Sequence, residues 1–211
     1  MKTIITVFLL SVTTAAFSST YEETMKTNIE KMYKLTSSVE LQALANHFER
    51  IGNAEKDQWL PAYYSAYCFV RSTFFDSPDA DVIHKQLDKA QSILDQLKKK
   101  FENESEIYTL QALVYQLRIT DMSKGAKFSR KAAEAINVAE KLNSENPRVY
   151  YLRGSNKFHT PKFFGGGPDK AKSDLEKAAK MFETKEAENT LMPGWGGRHN
   201  NELLSQCDAA E

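Results

Sequence analysis

One spacing recurs along the chain and restricts its folds more than any other feature. Ala132, Ile136 and Ala139 are separated by three and then two residues, and eleven residues after Ala139 comes Tyr150, followed four later by Gly154. Ala90, Leu94 and Leu97 keep the same spacing, with Tyr108 eleven residues on, then Ala112 and Tyr115. Ala171, Leu175 and Ala178 repeat the first half, and Leu41, Ala45 and Phe48 are a weaker copy with Trp59 eleven residues later. On a helix this spacing puts all three residues on one face. Small members let two helices approach closely, and a large aromatic opening the next helix fills the gap between neighbouring hairpins. A single hairpin cannot bury both of its faces, so the copies must stack.

The rest of the chain agrees with this pattern. Helical periodicity predicts helices over 21–35, 38–52, 57–75, 80–101, 104–120, 124–143, 147–158, 168–184 and 199–207. No stretch alternates long enough to propose a sheet. The breaks have local causes. Asp79 after Ser77-Pro78 is a candidate N-cap, and Pro147 and Pro168 sit at first helical positions, where proline costs no hydrogen bond.

The repeated pattern, Ala-x3-large-x2-Ala followed by a polar turn and aromatic-x3-small, resembles the tetratricopeptide (TPR) repeat, most clearly from Ala132 to Gly154. The resemblance covers 35–184. It implies an all-α, TPR-like helical-hairpin solenoid of about four hairpins plus a C-terminal capping helix after Pro193, with Trp195 on the last hairpin. The period departs from the family. Phe48, Leu97, Ala139 and Ala178 are 49, 42 and 39 residues apart, against about 34 in the standard repeat. The segments Phe158-His159-Thr160-Pro161, Phe163-Phe164-Gly165-Gly166-Gly167-Pro168 and Pro193-Gly194-Trp195-Gly196 resemble exported TPR-like proteins of Gram-negative bacteria. They are also similar to the aromatic-Gly-Gly loop of TPR-like proteins associated with periplasmic solute uptake.

Residues 1–18 read differently. Lys2, the apolar run Ile4–Leu10 and small residues to Ala16 and Ser18 have the form of a secretory signal peptide. The expected division is a signal peptide over 1–18 and the repeat domain over 19–211, in the periplasm or secreted. The chain has 28 Lys+Arg and 28 Asp+Glu. Removing Lys2 leaves 27 against 28, a net of −1, which gives no basis for a nucleic-acid partner. The run Lys98-Lys99-Lys100 ends a helical stretch, where cations offset the helix dipole. No later stretch is long and apolar enough to span a bilayer.

Candidate chemistry is sparse. Gly165-Gly166-Gly167 is glycine-rich enough to offer backbone N–H groups to an anion, yet Pro-Asp-Lys-Ala follows it, not Lys-Ser/Thr, and no strand precedes it. It reads as a tight interhelical turn. His47, His84, His159 and His199 form no metal-ligand spacing, and no cofactor is expected. Cys68 and Cys207 have apolar neighbours and are expected to stay unpaired. With no nucleophile, acid or base constellation, the chain is expected not to be an enzyme.

The aromatics and arginines of the first helix of each hairpin suggest a concave aromatic and basic face. Its members are Tyr67, Arg71, Tyr115, Arg118, Tyr151 and Arg153, with Phe158, His159, Phe164 and Gly166 at the glycine loop. The leading expectation is a binding or scaffolding module for a peptide or protein partner on that face. The alternative is a small-molecule carrier accessory to solute uptake, using the same face and the Phe163–Gly167 loop. The signal-peptide reading predicts that the native protein starts near residue 19. N-terminal sequencing checks this, and a retained Met1 would overturn it.

Overall fold

A computed structural model describes residues 8–75, 79–185 and 191–210, with side chains over 20–75, 79–184 and 191–210. The described residues form nine α-helices and no strand. They are α1 (Phe8–Lys34), α2 (Ser38–Ala54), α3 (Leu60–Ser72), α4 (Ala80–Lys100), α5 (Ser105–Leu117), α6 (Met122–Leu142), α7 (Pro147–His159), α8 (Pro168–Lys185) and α9 (Gly197–Asp208). A 3-10 turn, Lys162–Phe164, joins α7 to α8. The side chains of the expected signal peptide, 1–18, lie outside the described residues.

Asp79 caps α4 as expected from the sequence, and other helix starts use the same chemistry. Asp79, Asp121 and Asn146 each accept a bond from the backbone N–H two residues on, at 2.8, 2.9 and 3.0 Å. Ser37 caps α2 through the N–H of Glu40. These bonds satisfy donors that a helix start leaves open. The Lys98–Lys100 run occupies the last turn of α4, and Lys98 is tied there to Asp95 and Gln111.

The helices form two layers. Each outer helix buries one stripe at helical spacing: Leu41, Leu44, Ala45 and Phe48 on α2, Leu87, Ala90, Leu94 and Leu97 on α4, Ala132, Ala135, Ile136 and Ala139 on α6. The inner helices α3, α5 and α7 are buried nearly all round. The layering explains the difference. An inner helix has an outer helix on each side and its inner neighbours beside it, so no face is left for water. Within the array α3 packs on α4, α5 on α6 and α7 on α8, and α9 closes the end against α8. Most residues that carried the repeat pattern are buried, Ala132, Ile136, Ala139 and Tyr150 and likewise Ala171, Leu175 and Ala178, while Trp59, Tyr108 and Tyr115 are half-buried. Gly154 marks the closest approach of α7 to α8. A Cβ there would lie 2.6 Å from Leu175 Cδ2.

The segment before α9 departs from the expected arrangement. Trp195 does not rest on the last hairpin alone. It crosses the inner layer to α3, where its indole N–H donates to Tyr63 Oη at 2.7 Å and its ring stacks on Tyr67 at 5.6 Å. Tyr151 of α7 meets it edge-on, and the Arg148 guanidinium lies 5.2 Å from its centroid. The residues around it join the two ends of the chain. Tyr64 Oη donates to the Leu191 carbonyl at 2.8 Å, and the Gly194 N–H donates to Tyr33 Oη of α1 at 3.0 Å. Beneath Trp195, Arg148 is ion-paired with Glu106 of α5 at 2.9 Å, both side chains nearly out of water.

Two outcomes follow for stability. Gly154→Val and Ala139→Leu force overpacking and should each cost ~1–3 kcal/mol. Denaturant titration checks both, and unchanged midpoints for both would break the assigned helix pairing. Trp195→Ala removes a buried ring and should cost ~3–5 kcal/mol. Thermal melting reads the loss, and a variant as stable as the parent would mean that the segment is not part of the core.

Candidate functional site

The inner layer determines what the expected concave face can do. Tyr67 and Tyr151 are buried against Trp195, so neither offers a ring to a ligand. Burial pushes the Tyr67 and Tyr151 hydroxyls well above the ordinary tyrosine range. Tyr151 Oη lies 2.9 Å from His199 Nδ1.

The expected basic residues are engaged within the fold. Arg71 donates to the Leu35 carbonyl at 3.2 Å and lies over the rings of Tyr33 and Phe75. Arg118 pairs with Asp88 of α4 at 2.7 Å. Arg153 bridges Glu140 at 2.7 Å and Asp174 at 3.0 Å, with Lys157 on the other oxygen of Asp174 at 2.6 Å. Tyr115 is half-buried, stacked on Phe128 with Lys131 over its ring. Tyr67, Arg71, Tyr115, Arg118, Tyr151 and Arg153 therefore do not line an open groove. They join helices to each other. Sequence spacing placed them on these helices but could not reveal that a distant tryptophan packs between Tyr67 and Tyr151.

The second expected group, Phe158, His159, Phe164 and Gly166, is brought together at the end of α7. The glycine run is a turn, as its sequence suggested. Gly165 and Gly167 have φ of 82° and 107°, in the region where a side chain is strained. Gly166 sits so close to Thr160 that a Cβ would fall 2.1 Å from its carbonyl oxygen. All three N–H groups are used internally: Gly165 to the Lys162 carbonyl, Gly166 to that of Pro161 and Gly167 to that of Lys157. None is left for an anion. The outcome of this bonding is a rigid corner that holds Phe163 and Phe164 outward, 90% and 71% exposed. Their rings meet at 5.3 Å, edge to face.

Further exposed apolar side chains lie on the same edge, where each inner helix turns into the next outer one. Val39 follows the α1–α2 turn, Phe74 and Val82 flank the α3–α4 turn, and Ile119 and Met122 flank the α5–α6 turn. Arg71 ties the first two turns together, and the contact of Lys124 with His84 ties the α5–α6 turn to the start of α4. Sequence reasoning missed this edge, because single apolar residues in turns carry no periodicity. A cleft on the same edge, lined by Ser38, Gln42, Ser72, Thr73, Phe75, Val82, Ile83 and Gln86, has a volume of 40 Å³. That volume is far too small for a ring system.

Cys68 and Cys207 are both buried and are not joined by a disulfide, and the Cys207 thiol donates to the Pro168 carbonyl at 3.5 Å. Burial pushes the Cys68 thiol well above its usual range, which makes it inert packing and not a nucleophile. Among the described residues no group of three or more His, Cys, Asp or Glu could hold a metal ion. No helix among them is long and apolar enough to cross a membrane.

No protein-family model and no curated protein sequence matches the chain. Two solved structures do. The HusA haemophore from Porphyromonas gingivalis superposes with a TM-score of 0.80 at 27% identity, over 90% of this chain and 94% of that one. TTC0263, a thermophilic TPR protein in Thermus thermophilus, superposes with a TM-score of 0.54 at 14% identity, over 88% and 98%. With its stacked hairpins and buried signature positions, the chain has the TPR-like helical-repeat fold.

Proposed function

We propose that this chain is a non-enzymatic carrier of a planar, largely apolar ring ligand of the haem class, acting after export. The observation that carries the reading is the likeness to a haemophore along nearly the whole length of both chains. The likeness reaches beyond shared helices, since at 27% identity it exceeds what the second, TPR neighbour offers at 14%.

The corner at the end of α7 supports the reading chemically. Phe163 and Phe164 present ring faces and edges to solvent on a turn that glycine geometry and three internal hydrogen bonds hold rigid. Exposed apolar area of this kind is costly to leave in water and marks a place where something docks. A porphyrin-like ring covers it by stacking, without the ordering cost that a mobile loop adds. Lys162, 72% exposed beside the aromatics and only loosely paired with Asp169 at 3.8 Å, supplies a cation for an acidic ligand edge.

Peptide capture in the concave face has less support. Trp195 covers Tyr67 and Tyr151 there, and Arg71, Arg118 and Arg153 are bonded within the fold, so a peptide would have to displace these contacts.

Phe163→Ala combined with Phe164→Ala should weaken ring binding by about tenfold or more, since two aromatic contacts of ~0.5–1.5 kcal/mol each are lost. The melting temperature should not move, because both side chains are exposed. Absorbance titration of the full chain with haemin and with metal-free protoporphyrin measures the affinity. If neither ring binds the parent chain, the carrier reading fails. If the double variant binds as tightly as the parent, the ligand sits elsewhere.

A further inference from the structure

The four histidines differ in one respect that bears on this site. His47 Nδ1 lies 3.1 Å from Arg50 Nη2. His84 Nε2 lies 3.0 Å from Lys124 Nζ and 3.3 Å from Thr120 Oγ1. His199 Nδ1 lies 2.9 Å from Tyr151 Oη. Each of these three rings has a nitrogen committed within the protein. Among the described residues His159 makes no such bond. Its one ring contact is with the adjacent Phe158, centroids 5.1 Å apart and planes at 78°. It is the last residue of α7, exposed, with both nitrogens free to bond outside the chain.

Its setting is also fixed. The turn that carries Phe163 and Phe164 is clamped back onto the end of α7 by the bond from the Gly167 N–H to the Lys157 carbonyl, at 2.9 Å. His159 precedes Phe163 by four residues. Their Cα atoms are therefore at most ~14 Å apart, a span that one porphyrin can bridge. An unprotonated imidazole nitrogen carries a lone pair that a metal can take.

We propose that His159 is an axial ligand to the iron of a haem lying against Phe158 and the Phe163–Phe164 turn. The proposal rests on the carrier reading and adds what selects iron-loaded rings over empty ones. The step is a ligand exchange. The bond from ferric iron to a coordinated water breaks, and the imidazole lone pair forms the iron–nitrogen bond. The water leaves with both protons, and the iron keeps its oxidation state. Imidazole nitrogen is a common and suitable donor for haem iron.

The test compares His159→Ala with the parent chain, using haemin and metal-free protoporphyrin as separate probes. His47→Ala serves as the control histidine. The expected result is a loss of about tenfold or more in haemin affinity for His159→Ala, with metal-free protoporphyrin affinity unchanged. The haemin absorbance band of the parent chain should also shift toward a nitrogen-ligated spectrum, and that shift should vanish in the variant and persist in His47→Ala. If the variant binds both rings as the parent does, His159 does not touch iron, while the carrier reading stands. If it loses both rings equally, His159 packs against the ring and the ligation proposal falls. If the parent binds neither ring, the carrier reading fails and takes this proposal with it.

Discussion

Trp195 is the side chain around which the inner layer closes. A stack of helical hairpins has a concave side that must be either wetted or filled. Here an indole fills it, hydrogen-bonded to Tyr63, stacked on Tyr67 and met by Tyr151 from the opposite side. The ion pair of Arg148 with Glu106 sits against the same ring. Burying that pair is favourable only where both charges are satisfied. Burial by itself works against the Arg148 charge, and Glu106 together with Tyr63, Tyr33 and Tyr64 more than offsets it. The indole face supplies a further cation–π contact. Removing any one member leaves another exposed to a penalty, which couples α3, α5, α7 and the segment before α9.

That coupling occupies side chains expected to face a ligand. Repeat arrays of this kind offer ligands a concave surface, and the sequence contains the aromatic and basic residues that such a surface needs. In this chain those residues serve cohesion. Arg71, Arg118 and Arg153 each hold one element to another. What remains available is an edge, where inner helices turn into outer ones and where Phe163 and Phe164 stand out from a glycine-locked corner. A rigid turn suits a rigid planar ligand, since neither partner loses much conformational freedom on contact.

The same corner shows how backbone chemistry settles between two uses of one motif. Three consecutive glycines can cradle an anion only if their N–H groups point outward and stay unbonded. Here each is bonded to a carbonyl of the preceding turn. The glycines serve conformation, and the aromatics they position are the exposed feature. His159 precedes this corner and alone among the histidines makes no ring-nitrogen bond among the described residues.

Helix positions, caps and the outer-layer stripes were legible in the sequence because they are local. Three-and-four spacing, Asp79, Asn146-Pro147 and the glycine run act within a few residues, and local hydrogen bonding decides them. The small residues at Ala139, Gly154 and Ala178 were legible for the same reason, since a repeated spacing reports a repeated contact. The partner of Trp195 was not. It lies 132 residues away in α3, and no periodicity links the two. Nor could spacing distinguish an arginine facing a ligand from one paired with Glu140 and Asp174, because both sit at the same helical phase. The sequence alone determined the fold and the corner that carries the aromatics. Only the tertiary structure decided that Tyr67 and Tyr151 are core and that the arginines hold helices together, because this depends on contacts between residues far apart in the chain.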